Sequence, residues 1–248
     1  MSTVKSKEKL SEHKDNSIKK IDDFLTSLIE NADDKDSGRA DKISYWLNDW
    51  VNFLNFEKQF NPLSLRRYKR GEIIKVHLGF NIGSEEGGLH YAVVLDKNNF
   101  KSSPVVTIVP LTSVKPTTDV NCLRSGSIFL GDELYNNLNL KISTTIKRIN
   151  TEINTLEELI KTDCDQTIIQ PRISAAYSEL DFIRRMQAEN KKMKRGSIAL
   201  VNQITTISKI RIYDPKTDHD ILSGIRLSNE KLDIIDKEMI KKYTNLTA

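Results

Sequence analysis

The sequence predicts an α+β protein: a small β-barrel unit with helices added ahead of it and inserted within it. Three observations support this. In residues 70–113, two β-rich runs flank the polar, glycine-containing loop GSEEGG. Apolar residues recur at helical spacing both before and after that stretch. Of 248 residues, 38% are hydrophobic, which is low for a globular chain and suits one compact barrel with helical additions.

The elements follow in chain order. Ile18, Ile21, Leu25 and Leu28 share one helical face, and Ile43, Trp46, Trp50, Phe53 and Leu54 share another. Between them NADDKDSGRAD reads as a polar break. Asn61 precedes Pro62, a position biased away from helix, and the basic run RRYKR then leads into the barrel. Residues 72–78 alternate as a strand, residues 91–95 form a more buried strand, and residues 104–109 form a third. Gly83, Gly87 and Gly88 let the intervening loop fold tightly while presenting Ser84, Glu85, Glu86 and His90. Further on, Ile142, Ile146, Ile149, Ile153, Leu156 and Ile160 alternate at spacings of four and three. Ile173, Ala176, Leu180 and Ile183 repeat the pattern beyond residues 163–171, so a helical hairpin is predicted. Four amphipathic helices can bury their faces on one another, which predicts a helical subdomain beside the barrel. A last helix over residues 229–243 carries Leu232, Ile235, Met239 and Ile240 on one face, suited to closing the barrel or a dimer interface. The divisions expected are 1–64 for the helical extension, 65–122 and 195–248 for the two parts of the barrel, and 123–194 for the inserted hairpin.

Composition narrows the function classes. The 38 basic and 34 acidic residues leave a net charge of +4, so only local patches can recruit nucleic acid. Cys122 and Cys164 lie in unlike contexts without metal-ligand spacing and read as two reduced thiols. No HExxH, CxxC or phosphate-binding glycine motif occurs, and neither a metal nor an organic cofactor is expected. No apolar run approaches bilayer length and the first residues are polar, which predicts a cytoplasmic protein without membrane attachment. His77 sits in a strand, where packing or hydrogen bonding suits it, and His13 and His219 lie in polar surroundings.

The order strand, acidic loop, strand, strand resembles the MazF/PemK/Kid family of toxin ribonucleases. That family's loop typically reads GSEQGG followed by Arg-Pro, and its next strand ends in Thr-Ser or Thr-Ala. Here the positions read GSEEGG, His90-Tyr91 and Thr112-Ser113. A later segment, GSIALVNQITTISKIRI over residues 196–212, is similar to the second family signature, in which a strand runs into a glutamine and a Thr-Ile pair.

The resemblance implies an SH3-like barrel and a metal-independent endoribonuclease acting on single-stranded RNA, most naturally messenger RNA. In such cleavage the ribose 2′-hydroxyl attacks the adjacent phosphate, leaving a 2′,3′-cyclic phosphate or 3′-phosphate and a 5′-hydroxyl. It also implies an antitoxin partner and a homodimer. Carried over by position, Glu85 matches the loop glutamate, Thr112 the strand-end threonine, and His90 replaces the catalytic arginine. Ser84, Glu86, Gly87, Gly88 and Ser113 become substrate-binding positions, with Ser113 an alternative to Thr112 as the active hydroxyl. Histidine titrates near neutrality, so His90 suits proton transfer better than it suits clamping a phosphate. Lys75, Lys97, Lys115 or the run 191–195 are the candidates to supply the missing charge. Two other readings stay open: a non-catalytic module on the same barrel that binds RNA or protein, and a toxin covered by its own helices.

Overall fold

The computed structural model describes residues 6–30, 34–162 and 165–246. The chain divides into two compact units, residues 1–58 and 59–248. The first unit consists of α1 (Lys7–Glu30) and α2 (Asp34–Glu57), which contact each other. Leu28, Ala40 and Ile43 are its buried apolar residues, and the rings of Trp46 and Phe53 lie 6.2 Å apart. The expected polar break is mostly helix: α2 starts at Asp34, where Asp34 and Asp36 occupy the first turn and favour the positive end of the helix dipole.

The second unit begins earlier than the expected boundary at residue 65. Phe60, Leu65 and Tyr68 belong to the barrel core, and the fully buried Tyr68 donates from its hydroxyl to the Pro215 carbonyl at 2.7 Å. The basic run is largely structural. Arg66 binds Glu72 and Asp218, and Arg70 binds Asp236 and the Leu95 carbonyl.

Among the described residues seven strands follow: β1 (Ile73–His77), β2 (Leu89–Val94), β3 (Val105–Ser113), β4 (Ser127–Gly131), β5 (Ser197–Leu200), β6 (Thr205–Ser208) and β7 (Ile212–Asp214). All pairings are antiparallel, in the order β4-β5-β3-β2-β1-β7, with β6 also on β3. The sheet is barrel-like but not closed. β3 organises it. One edge pairs β2 from Val94↔Ile108 to Ala92↔Pro110; the other pairs β6 over Val105–Ile108 and then β5 over Leu111–Ser113. The strand therefore runs past the expected end at residue 109. Pro110 lacks an N–H, and the β2 ladder stops there while β5 takes up the opposite edge.

Two further corrections concern the insert. Residues 127–131, assigned from sequence to the helical insert, form β4 against β5. The hairpin itself is α3 (Glu133–Lys161) and α4 (Gln166–Lys192), with Pro171 inside α4 rather than in the connection. Asp165 caps α4 by accepting from the Thr167 N–H at 2.9 Å. Arg172 to Glu152 and Arg148 to Glu179 tie the two helices in register. At its base the hairpin extends the barrel core: Leu134, Leu138, Ile142, Ile149, Ile183 and Met186 form one cluster with Ile73, Val93, Leu95, Val109 and Leu111. The other sheet face encloses a second cluster, including Ile74, Val76, Ala92, Val94, Ile108 and Ile207.

Glu189 on α4 pins the hairpin to β1 and β2. It pairs with Lys75 and accepts the Tyr91 hydroxyl at 2.5 Å. Burial opposes its ionisation, but the Lys75 and Tyr91 hydrogen bonds outweigh burial and hold the carboxyl below the usual range. Lys141 on α3 donates to the carbonyls of Asp220, Ile221 and Ser223 at 3.1, 2.9 and 2.7 Å, and burial lowers its pKa.

The last helix, α5 (Asn229–Tyr243), occupies the expected residues, and Ser228 caps it. Its apolar face does not stand free for a second copy. Leu232 and Ile235 are buried, and Met239 packs against the same barrel core. The argument for a dimer from an exposed α5 face therefore fails.

Candidate active site

The acidic loop between β1 and β2 is closed by its own backbone at the base and strapped from outside at its tip. Leu78 N–H donates to Gly88 O at 2.7 Å and Gly88 N–H to Gly79 O at 2.6 Å. Gly88 has φ of +85°, and a Cβ on Gly87 would lie 2.8 Å from the Gly79 carbonyl oxygen, so both glycines are required by the turn. At the tip, Gln203 accepts the Glu86 N–H at 2.6 Å and donates to Ser84 O at 3.0 Å. Asn81 donates to Glu86 O at 2.6 Å.

His90 stands at the start of β2, opposite Val76. Its Nδ1 lies 3.1 Å from the Leu111 carbonyl oxygen, just beyond the point where Pro110 ends the ladder. A carbonyl only accepts, so Nδ1 carries the hydrogen and Nε2 is left to accept or, when protonated, to donate. Nε2 lies 3.8 Å from Glu86 Oε2. The residue after Leu111 is Thr112, which occupies the next β3 position beyond the β2 ladder.

Two clefts adjoin this pair, and Glu86 lines both. One, of about 500 Å³, is walled by Glu86, Thr112, Ser113, Lys115 and Arg124, with Cys122 at its edge. The other, of about 610 Å³, is walled by Ser84, Glu85, Glu86, Asn202, Gln203 and Arg211. Burial lowers the Arg211 pKa from its ordinary value, and its Nε donates to His77 O at 2.7 Å.

The predicted residues thus fall into two groups. Glu86, Thr112 and Ser113 share the first cleft, and His90 reaches it through Glu86. Ser84 and the exposed Glu85 belong to the second, while Gly87 and Gly88 shape the loop. Among the candidates for added charge, Lys115 lines the first cleft, whereas Lys75 is committed to Glu189 and Arg195 lies over the Tyr135 ring. His77 accepts the Gly79 N–H, and His13 and His219 are exposed. Cys122 is a free thiol; Cys164 lies outside the described residues.

Sequence reasoning missed Arg124, Arg211, Asn81 and the task of Gln203. Only Gln203 had a signal, its place in the second signature. Among the described residues, no group of three metal-capable side chains occurs and no helix is long and apolar enough to cross a membrane.

The family model of PemK-like, MazF-like toxins of type II toxin–antitoxin systems matches residues 69–169. No curated protein matches the chain. The matched stretch contains the acidic loop, His90, Thr112 and Arg124, and it ends before Gln203. Over that stretch, less than half of its length, the chain is similar to the PemK-like, MazF-like toxins of type II toxin–antitoxin systems.

Proposed function

We propose that the protein is a toxin endoribonuclease that cleaves single-stranded RNA without a metal ion, by attack of a ribose 2′-hydroxyl on the adjacent phosphate, and that an antitoxin restrains it. The observation that carries this reading is the convergence of Glu86, Thr112, Ser113, Lys115 and Arg124 on one cleft, with His90 behind Glu86 at 3.8 Å. Three tasks need residues. The Glu86–His90 couple takes the 2′ proton and returns a proton to the departing 5′ oxygen. Lys115 and Arg124 offset the charge growing on the phosphorane, and the Thr112 and Ser113 hydroxyls donate to its oxygens. A single strand suits the cleft because its sugars reach the in-line geometry that a duplex prevents. A homodimer stays part of this proposal on the family resemblance alone.

The test uses antitoxin-free protein and single-stranded RNA in EDTA. Cleavage is expected, with 5′-hydroxyl products. Glu86→Gln and His90→Ala are expected to abolish it, whereas Glu85→Gln retains most of it. His90→Arg separates the two roles of position 90: retained activity assigns a clamp, and lost activity assigns proton transfer.

A non-catalytic RNA- or protein-binding module is the second reading. One observation favours it: the His90 ring is engaged by Leu111 O and Glu86, where the family places an arginine. No cleavage by the natural protein together with gained cleavage by His90→Arg would establish this second reading and sink the first. The hairpin gives no support to self-inhibition, since α3 and α4 supply no residue to either cleft.

A further inference from the structure

We propose that Gln203 is a positioning residue for this site: its carboxamide fixes the Glu86 peptide and thereby the carboxylate that faces His90. Its Oε1 accepts the Glu86 N–H at 2.6 Å while its Nε2 donates to Ser84 O at 3.0 Å. Among side chains of this length only a carboxamide does both; a carboxylate accepts without donating, and a leucine does neither. The opposite side of the residue is held by Asn81, whose Nδ2 donates to Glu86 O at 2.6 Å. Backbone bonding in this part of the loop is otherwise sparse, with Glu85 N–H reaching Ile82 O only at 3.4 Å. Two carboxamides from outside the tip thus set the place of Glu86.

Gln203 is itself firmly seated. It ends the 3-10 turn Val201–Gln203, in which Val201 is fully buried and its carbonyl accepts the Tyr243 hydroxyl of α5 at 2.8 Å. The neighbouring Asn202 N–H donates to Gly126 O at 3.3 Å. A continuous set of contacts therefore runs from α5 through the 3-10 turn and Gln203 to Glu86 and His90. Without the carboxamide, the half-buried Glu86 N–H loses its partner and the loop tip is free to move the carboxylate away from His90.

The inference rests on the proposed site, but its first readout needs no RNA cleavage. In the full chain, Gln203→Leu is expected to speed hydrogen exchange of the Glu86 amide about tenfold or more, and Gln203→Glu, which keeps the acceptor, speeds it less. On single-stranded RNA, Gln203→Leu is expected to lower kcat about 10- to 100-fold with KM little changed, since the substrate still binds a cleft whose acid-base couple is displaced. Gln203→Glu falls between it and the natural protein. Asn81→Ala releases the same residue from its carbonyl side and carries the same kinetic expectation, so a Gln203→Leu protein that does not fold leaves the idea open to refutation. Unchanged Glu86 exchange in Gln203→Leu overturns the inference, as does faster exchange with unchanged kcat. A natural protein that cleaves no RNA overturns the proposed function instead, and the exchange measurement alone then decides the hold of Gln203 on Glu86.

Discussion

Gly87 shows how little room the loop leaves for error. A methyl group there meets the Gly79 carbonyl oxygen at 2.8 Å, a backbone atom that moves only with the turn. Gly87→Ala is expected to displace the tip and cost stability of about 1–3 kcal/mol, as overpacking of a fixed site does, and to lower cleavage more than Glu85→Gln does. Thermal melts alongside RNA cleavage check this. The cations make a second residue-scale prediction. With Lys115 and Arg124 as the phosphate contacts, RNA binding should weaken with salt at a slope of about −1.4 in log–log form, roughly −0.7 per contact for a single strand. Removing either side chain should reduce the slope by about half; an unchanged slope assigns the phosphate contacts elsewhere.

Legibility in the sequence also divides by residue. The glycine loop was readable because the turn restricts its glycines, whereas His90 and Thr112 were singled out only by their places in the family resemblance. The partner of His90 was not: Glu85 and Glu86 are neighbours in sequence, and only the fold brings Gln203 and Asn81 to the Glu86 peptide and its carboxylate towards His90. Arg124 had no sequence signal, because a lone basic residue between loops acquires meaning only when β4 and β5 bring it beside Thr112.

At the scale of elements, the hairpin stripe was recognised but its partner was misjudged. Ile142, Ile149 and Leu156 are buried, whereas Ile146, Ile153 and Ile160 stay partly or largely exposed. The stripe thus does not distinguish a surface offered by other helices from one offered by a sheet, and for the base of α3 the surface is the barrel. Strand β4 escaped notice because its apolar residues Ile128, Phe129 and Leu130 are consecutive and show no period-2 alternation in sequence. Met186 is fully buried in the cluster shared by hairpin and barrel. Met186→Ala is expected to destabilise the barrel and hairpin together by about 2–5 kcal/mol, seen as one cooperative transition. A change confined to the hairpin would show that the two do not share a core.

The contact of Glu189 with Lys75 and Tyr91 adds a pH dependence to that union. The folded protein holds the Glu189 carboxyl below its ordinary value of 4.5, so its stabilising effect is complete above that value and is lost as pH falls through the lower folded value. Asp214, whose pKa burial raises from its ordinary value, works in the opposite direction, which makes the comparison with Glu189→Gln the informative one. The natural protein is expected to lose more stability than this variant on acidification below pH 4.5, as followed by denaturant midpoints; parallel curves would refute the pairing.

At the scale of the whole molecule, the division at residue 58 makes the barrel unit testable by itself. The fully buried residues of both large clusters lie beyond that point, so residues 59–248 are expected to fold alone and retain the melting transition of the full chain within a few degrees. The excised first unit, with Leu28, Ala40 and Ile43 as its buried apolar residues, is expected to show little cooperative unfolding. A barrel fragment that fails to fold would show that α1 and α2 complete its core.

The way β3 shares its outer edge between β5 and β6 also bears on how the chain is made. On the ribosome, that edge is synthesised before both long helices of the hairpin, and its partners emerge only after them. At synthesis rates of about 5–20 residues per second, the wait lasts roughly 4–20 s, far longer than a helical hairpin needs to form. During that interval the nascent chain presents an open apolar strand, a place for chaperone capture or for pairing with another nascent chain. Gln203 arrives between these two partners and Tyr243 after them, so a nascent chain that has not reached them carries the acidic loop and His90 but lacks the strap that sets them.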